Sequence, residues 1–173
     1  QYSWRINVGG TLLLTEQIIN KGIFTVFLSS NLVFDGNTPF SKQDEKLNPK
    51  TEYGRQKAEV EKNLLFGGNK ISIVRFSKIF YPGMPLIQEW IANLNLGKEI
   101  NPFYDMVVSP IPISFAVDVL IDIIKNHIPG IIQVSGDKDI SYLEVATFIA
   151  KKLNFKEELI RPVSFRSAGI EYT

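Results

Sequence analysis

Two short apolar runs constrain this chain more than any other feature. Ile23 to Leu28 reads IFTVFL and Ile71 to Phe76 reads ISIVRF. Both are rich in β-branched and aromatic residues, and neither shows the strict polar alternation of a half-solvated strand. Runs of this kind lie buried on both faces of a parallel sheet. Between them, Thr51 to Phe66 carries strong helix formers and stops at Gly67-Gly68. The order strand, helix, strand predicts a right-handed parallel crossover unit. A third strand is expected at Ile131 to Val134. It follows a helix opened by Ser114, with Phe115, Val119 and Ile123 on its apolar side and Pro129-Gly130 at its end. The class is α/β.

The remaining elements fit around that sheet. Trp4 to Ile19 has Ile6, Leu13, Leu14 and Ile18 near a helical period, which predicts a helix packed on the sheet and stopped by Lys21-Gly22. Beyond Tyr81-Pro82-Gly83 a helix is expected to about Leu96, then a short extended piece from Glu99 to Tyr104 and a segment punctuated by Pro110 and Pro112. Ser141 and Glu144 form a capping-box pattern that opens a helix to about Leu153. Residues 1–80 form one portion and residues 81–173 a second, with 113–135 returning to the sheet.

Charge and composition narrow the partners. Nineteen basic residues against eighteen acidic ones leave a net charge of +1, so no basic face is implied, and neither nucleic acid nor an anionic membrane is an expected partner. There is no cysteine, which removes disulfides and thiolate metal sites, and no metal is expected. The apolar stretches break well short of the roughly 20 residues that span a bilayer, and no signal segment opens the chain. A cytoplasmic protein is expected. The chain begins at Gln1, already inside a helical pattern, as a cut domain would.

The chemistry gathers after the first strand. Ser29 to Pro49 is a long polar loop with Asp35-Gly36-Asn37 and Pro39. It leaves the carboxyl end of the strand, where open α/β sheets place their ligands. Tyr53 and Lys57 lie four residues apart at the start of the next helix, on one face. A phenol that exchanges a proton near neutral pH needs its pKa lowered from about 10, and a neighbouring ammonium does this by favouring phenolate. The spacing alone is common, and an exposed helical pair is its plain alternative.

Context selects between the two. Ser29 to Gly36 (SSNLVFDG) and then Asn48 to Lys62 (NPKTEYGRQKAEVEK) resemble the extended short-chain dehydrogenase/reductase family. The likeness is greatest to its dTDP-4-dehydrorhamnose reductase branch, with serine or threonine before x-x-Val-Phe-Asp-Gly and then Pro-x-x-x-Tyr-Gly-x-x-Lys. Here those are Ser30, Pro49, Tyr53, Gly54 and Lys57, with Glu59 or Glu61 following. Asn7 to Thr11 resembles the family's Asn-x-x-Gly-Thr. Arg75 before Tyr81-Pro82-Gly83, Pro112 to Asp118, and Gly130 to Gly136 match later segments in order.

The resemblance implies an incomplete doubly wound, Rossmann-like parallel sheet with a small carboxyl-terminal substrate-binding portion. It implies NADP or NAD as cofactor, a nucleotide-linked 4-keto sugar as substrate, and pairing into a homodimer. Tyr53 would be the general acid, Lys57 would lower its pKa and hold the nicotinamide ribose, Ser30 would hold the carbonyl oxygen, and Asn7 would support a proton relay behind Lys57. Ser29, Ser77, Lys78 and Ile79 would lie by the cofactor, and Asn31, Leu32 and Phe34 by the substrate; Asp105 reads as a turn residue, with a place by the substrate as its alternative. Arg75 reads equally as a strand-end structural residue, and His127 as structural.

The family's Gly-x-x-Gly-x-x-Gly turn, which seats the pyrophosphate at a helix start, has no counterpart here. A fragment with a partly open sheet edge is therefore expected. Asn31 and Leu32 replace the branch's usual aspartate and tyrosine, and Lys78 a bulky aromatic. An epimerase or dehydratase and a non-catalytic NADP-binding regulatory subunit are the alternatives.

Overall fold

The structure, a computed structural model, describes residues 2–168. In chain order the elements are α1 (Tyr2–Trp4), a π-helical stretch (Arg5–Gly10), α2 (Thr11–Asn20), β1 (Thr25–Ser30), a single helical turn (Asn31–Val33), α3 (Glu52–Leu64), a short helical stretch (Leu65–Lys70), β2 (Ile71–Phe76), β3 (Lys78–Phe80), α4 (Pro85–Asn95), β4 (Val107–Val108), β5 (Pro110–Pro112), α5 (Ile113–Asn126), β6 (Gly130–Val134), β7 (Ile140–Ser141) and α6 (Tyr142–Lys152). The described residues form two compact units, 2–77 with 114–134, and 78–113 with 135–168.

The first unit is built on a three-stranded parallel sheet in the order β1-β2-β6. Its register aligns Ser30, Phe76 and Val134, so the carboxyl ends of the strands finish level. On one face Val8, Ile19, Phe27, Val60, Leu64, Ile71 and Ile73 form a buried cluster, with Trp4, Leu12 and Ile131 packed against it. Each such apolar side chain contributes roughly 1.5–3 kcal/mol when fully buried. Strand alternation turns Ser72, Val74 and Phe76 to the opposite face, and all are buried.

Three expectations need correction. The first strand begins at Thr25, not Ile23, and it is not buried on both faces: Leu28 is 47% exposed. Among the described residues only β2 flanks it. In the first helical rod Ile6, Leu13 and Leu14 face outward while Val8, Thr15 and Ile19 are buried. The π-helical stretch changes the number of residues per turn, and a face counted at constant helical spacing does not survive it. In α5 the sheet-facing positions are Ala116 and Ile123, and Phe115 is exposed.

The second unit packs α4 and α6 around Trp90, Leu94, Ile100, Tyr142, Val145, Ala146, Ala150 and Ile160. Trp90 and Tyr142 meet edge to face at 6.3 Å and 89°. β3 runs parallel to β5, and β4 antiparallel to β7. The piece from Glu99 to Tyr104 is extended as expected, bridging Ile100 to Ile160 and Phe103 to Val163. The capping box is formed: the Ser141 hydroxyl accepts from the Glu144 amide at 3.1 Å, and the Glu144 carboxylate accepts from the Ser141 amide at 2.7 Å. His127 sits in the left-handed region, φ 49°, with its ring 4.9 Å from that of Phe24.

Candidate functional site

Helix α3 starts where the long loop ends, and its first turn is fixed by Thr51. The Thr51 hydroxyl accepts from the Gly54 amide at 2.9 Å, and Glu52 lies in the positively polarised first turn. From there Tyr53, Lys57 and Glu61 succeed one another at four-residue spacing, one above the next along the helix.

Lys57 does not point at the phenol. Its ammonium donates to the carbonyl of Leu28 at 2.7 Å and lies over the rings of Phe27 and Tyr53, 4.7 and 5.5 Å from their centroids. Burial pushes the Tyr53 phenol up from its ordinary pKa. Burial also pushes the Lys57 ammonium down, partly opposed by the negative charge of Glu61. Lys57 is not among the causes of the Tyr53 shift in this structure. The charge meets the ring face, and desolvation of the phenol decides the direction.

Ser30 closes β1. Its hydroxyl accepts from the Leu32 amide at 3.2 Å and lies 3.3 Å from the Asn31 side-chain oxygen, capping the turn Asn31–Val33. That turn presses on α3 so closely that a Cβ on Gly54 would stand 2.1 Å from the Leu32 carbonyl oxygen. Glycine beside Tyr53 is thus what lets the strand end, with Ser30, Asn31 and Leu32, meet the start of the helix. Leu32 and Tyr53 are both about half exposed there.

Ser29 turns the other way. It is buried, and its hydroxyl donates to the Glu61 carboxylate. Only the backbone of Ser29 is left for a ligand. Glu61 in turn accepts from Arg75 through Nε at 3.0 Å and Nη2 at 2.6 Å, each side chain 2% exposed. This selects Glu61 rather than Glu59, which lies at the surface near Lys62. Arg75 is the strand-end structural residue of the two readings. Its guanidinium carbon also lies 5.1 Å from the Phe34 ring centroid.

Asn7 sits in the π-helical stretch, a type of irregularity enriched at functional sites. Its amide donates to Gln56 at 2.9 Å, and Gln56 donates to Ser3 at 3.0 Å. Gln56, one residue before Lys57, was not singled out from the sequence. Its signal was the helix face shared with Glu52, to which it also donates at 3.3 Å.

The other candidates fall elsewhere. The Ser77 amide donates to Val134 at 2.9 Å. Lys78 and Ile79 lie on β3, in the second unit, with Lys78 exposed. The Asp105 carboxylate accepts from Ser164 Oγ and from the amides of Phe165 and Arg166, which hold its pKa down, the Ser164 bond most. Those bonds close a turn, so the expectation of Asp105 as a substrate contact meets a carboxylate already engaged. Among the described residues no cluster of histidine, cysteine, aspartate and glutamate could hold a metal ion, and no helix is long and apolar enough to cross a membrane.

Comparison with known proteins bears on this geometry. Residues 1–170 match the model of the RmlD substrate binding domain. Methionine adenosyltransferase 2 subunit beta of Xenopus tropicalis is 22% identical over 98% of this chain and 54% of its own length. Spore coat polysaccharide biosynthesis protein SpsK of Bacillus subtilis is 27% identical over 91% of this chain and 56% of its own. The crystal structure of dTDP-4-dehydrorhamnose reductase from Bacillus anthracis, in complex with NADP, superposes with a TM-score of 0.87 at 24% identity, covering 96% of this chain and 60% of that one. The chain spans about half the length of the curated relatives it matches.

Proposed function

Since the chain belongs to the RmlD substrate binding domain family, we propose that it carries the catalytic and sugar-binding residues of an NAD(P)-dependent reductase acting on a nucleotide-linked 4-keto sugar. The observation that supports this reading is the meeting of Ser30, at the end of β1, with the start of the helix bearing Tyr53 and Lys57.

The donor set fits the nicotinamide end of the cofactor. Lys57 spends one N–H on Leu28 and keeps others for ribose hydroxyls. The pyrophosphate has no seat among the described residues, because Gly9-Gly10 lies in the π-helical stretch and Gly67-Gly68 in the helical stretch after α3. NAD(P), when bound, supplies the hydride. Tyr53 donates its phenolic proton to the carbonyl oxygen that becomes the hydroxyl. Ser30 donates to the same oxygen. Asn7, through Gln56, steadies the helix behind Lys57.

Residues 1–80 are the later part of the cofactor-binding domain in this reading, and 81–173 mainly contact the sugar. Asn31, Leu32 and Phe34 face the sugar, with Asp105 shaping the second unit. The backbones of Ser29, Ser77, Lys78 and Ile79 line the nicotinamide. A cytoplasmic homodimer completes the reading.

The second reading is a regulatory subunit without turnover, or an epimerase or dehydratase of the same fold. The first of these is favoured by the likeness to methionine adenosyltransferase 2 subunit beta and by the altered Asn31, Leu32 and Lys78. The test is NADPH oxidation by the intact protein with dTDP-4-dehydrorhamnose. Turnover lost by about 100-fold or more in Tyr53→Phe, with NADPH affinity within about twofold, supports the reductase. NADPH binding without turnover in the parent protein gives the regulatory reading the lead.

A further inference from the structure

Glu61 and Arg75 touch no reacting group in that mechanism, yet they are the most deeply buried charges described in the molecule. We infer that they are positioning residues: together they fasten the 34–49 loop to the helix that carries Tyr53 and Lys57.

Stability does not account for the pair. A buried ion pair is a weak stabiliser, and well-packed apolar residues of similar size often serve as well or better. What the pair does that apolar residues cannot is reach in several directions at once. On one side Glu61 binds the Arg75 fork and the Ser29 hydroxyl, next to Ser30. On the other side Arg75 Nη1 donates to the Gln43 carbonyl at 3.0 Å and to the Gln133 side-chain oxygen at 3.3 Å. Gln133 then donates to the Ser41 carbonyl at 2.7 Å. The Phe34 ring lies against the guanidinium.

The loop needs this hold because it has little else. Phe40, its large apolar side chain near the middle, is 93% exposed. Asp35 and Asn48 join at the base, through a 3.0 Å side-chain bond and the Asn48 amide on Val33 at 3.0 Å. The middle, Ser41 to Gln43, is tied by Arg75 and Gln133. Hydrogen bonds to a loop without a buried apolar anchor open locally at low cost, so removing the guanidinium should free that segment while leaving the sheet closed. Lysine cannot replace it, because a point charge does not span Glu61 and Gln43 together.

The consequence for catalysis rests on the reductase reading, but the structural claim does not. The decisive experiment is amide hydrogen exchange on the chain with the double substitution Glu61→Leu and Arg75→Met. The expected result is exchange across 38–47 faster by about tenfold or more, with α3 and β2 within about twofold of the parent. Arg75→Lys should loosen the same segment, since charge alone does not restore the fork. Unchanged loop exchange overturns the inference, and so does an equal rise everywhere, which would make the pair a plain fold contact. Should the double variant not fold, Gln133→Leu decides: about threefold faster exchange confined to 38–47 supports the inference, and none overturns it.

In the intact enzyme Arg75→Lys should raise KM for the sugar nucleotide by about tenfold with kcat within about threefold. An unchanged KM, in a protein where Tyr53→Phe abolishes turnover, sinks the positioning role and leaves the reductase standing. A protein with no turnover at all sinks the reductase, while loop exchange still decides the role of the pair.

Discussion

β1 and β2 look alike as sequence, each a short apolar run, but they are held in different ways. β2 has a parallel neighbour on both sides and all six residues buried. Among the described residues β1 has one neighbour, and its Leu28 is exposed. Its carboxyl end is held by α3: the Lys57 ammonium donates to the Leu28 carbonyl, the Glu61 carboxylate accepts from the Ser29 hydroxyl, and Gly54, having no side chain, lets the turn at Leu32 come close. The end of β1 is thus held to α3 where the candidate chemistry sits. The groups that secure it are spaced along the helix that carries Tyr53. Among the described residues β2 supplies the core contacts and the end of β1 the candidate site.

The comparison breaks first at the core. Ile73→Ala, at 1% exposure in β2, should cost about 2–5 kcal/mol, because burial is lost and a cavity is left. Leu28→Ala in β1 should cost less than about 1 kcal/mol. Urea denaturation of the two variants checks the contrast. Equal costs would mean that β1 is covered in solution and that its exposed face has a partner.

Next comes the tie between α3 and the end of β1. Gly54→Ala places a methyl 2.1 Å from the Leu32 carbonyl oxygen and 3.0 Å from Pro49 Cβ. The obstacle is backbone, which cannot swing aside, so a cost of about 1–3 kcal/mol is expected. Gly9→Ala, with nothing within 4 Å of the new Cβ, should be neutral or stabilising by up to about 1 kcal/mol. If both behave alike, the turn after β1 is not pressed on the helix, and the meeting of Ser30 with Tyr53 loses its support.

Much of this was legible before the structure. β2, the Ser141–Glu144 capping box, and the common face of Tyr53 and Lys57 all follow from local pattern, since each depends on residues a few positions apart. The parts that were not legible depend on distant neighbours. Ile23 and Phe24 are as apolar as strand residues, yet pairing with β2 starts at Thr25, after the Gly22 turn at φ 80°. Nothing local announces that the rod holding Asn7 passes through a π-helical stretch. Asp105 reads locally as a turn residue, but its partners, Ser164 to Arg166, lie some sixty positions away and no local pattern names them. Tyr53 and Lys57 were rightly placed on one face, but spacing does not reveal that the ammonium turns to Leu28 and rests over the ring.

The smallest effect is the alkaline titration of that attachment, which β2 lacks because it carries neither tyrosine nor lysine. Burial pushes the Tyr53 phenol above 10.0. Just above that pH the unfolded chain releases a proton that the folded chain retains, so this group makes stability fall as pH rises. Lys57 works the other way. Burial pushes it below 10.5, against a smaller opposing pull from Glu61, so below 10.5 the unfolded chain binds a proton that the folded chain resists, and stability rises with pH. Tyr53→Phe removes only the first slope. The urea midpoint of the variant should therefore gain on that of the parent as pH passes about 10, and Ile73→Ala should show no such drift. A gap that stays constant with pH would mean that folding does not shift the phenol, and that the burial around Tyr53 is not kept in solution.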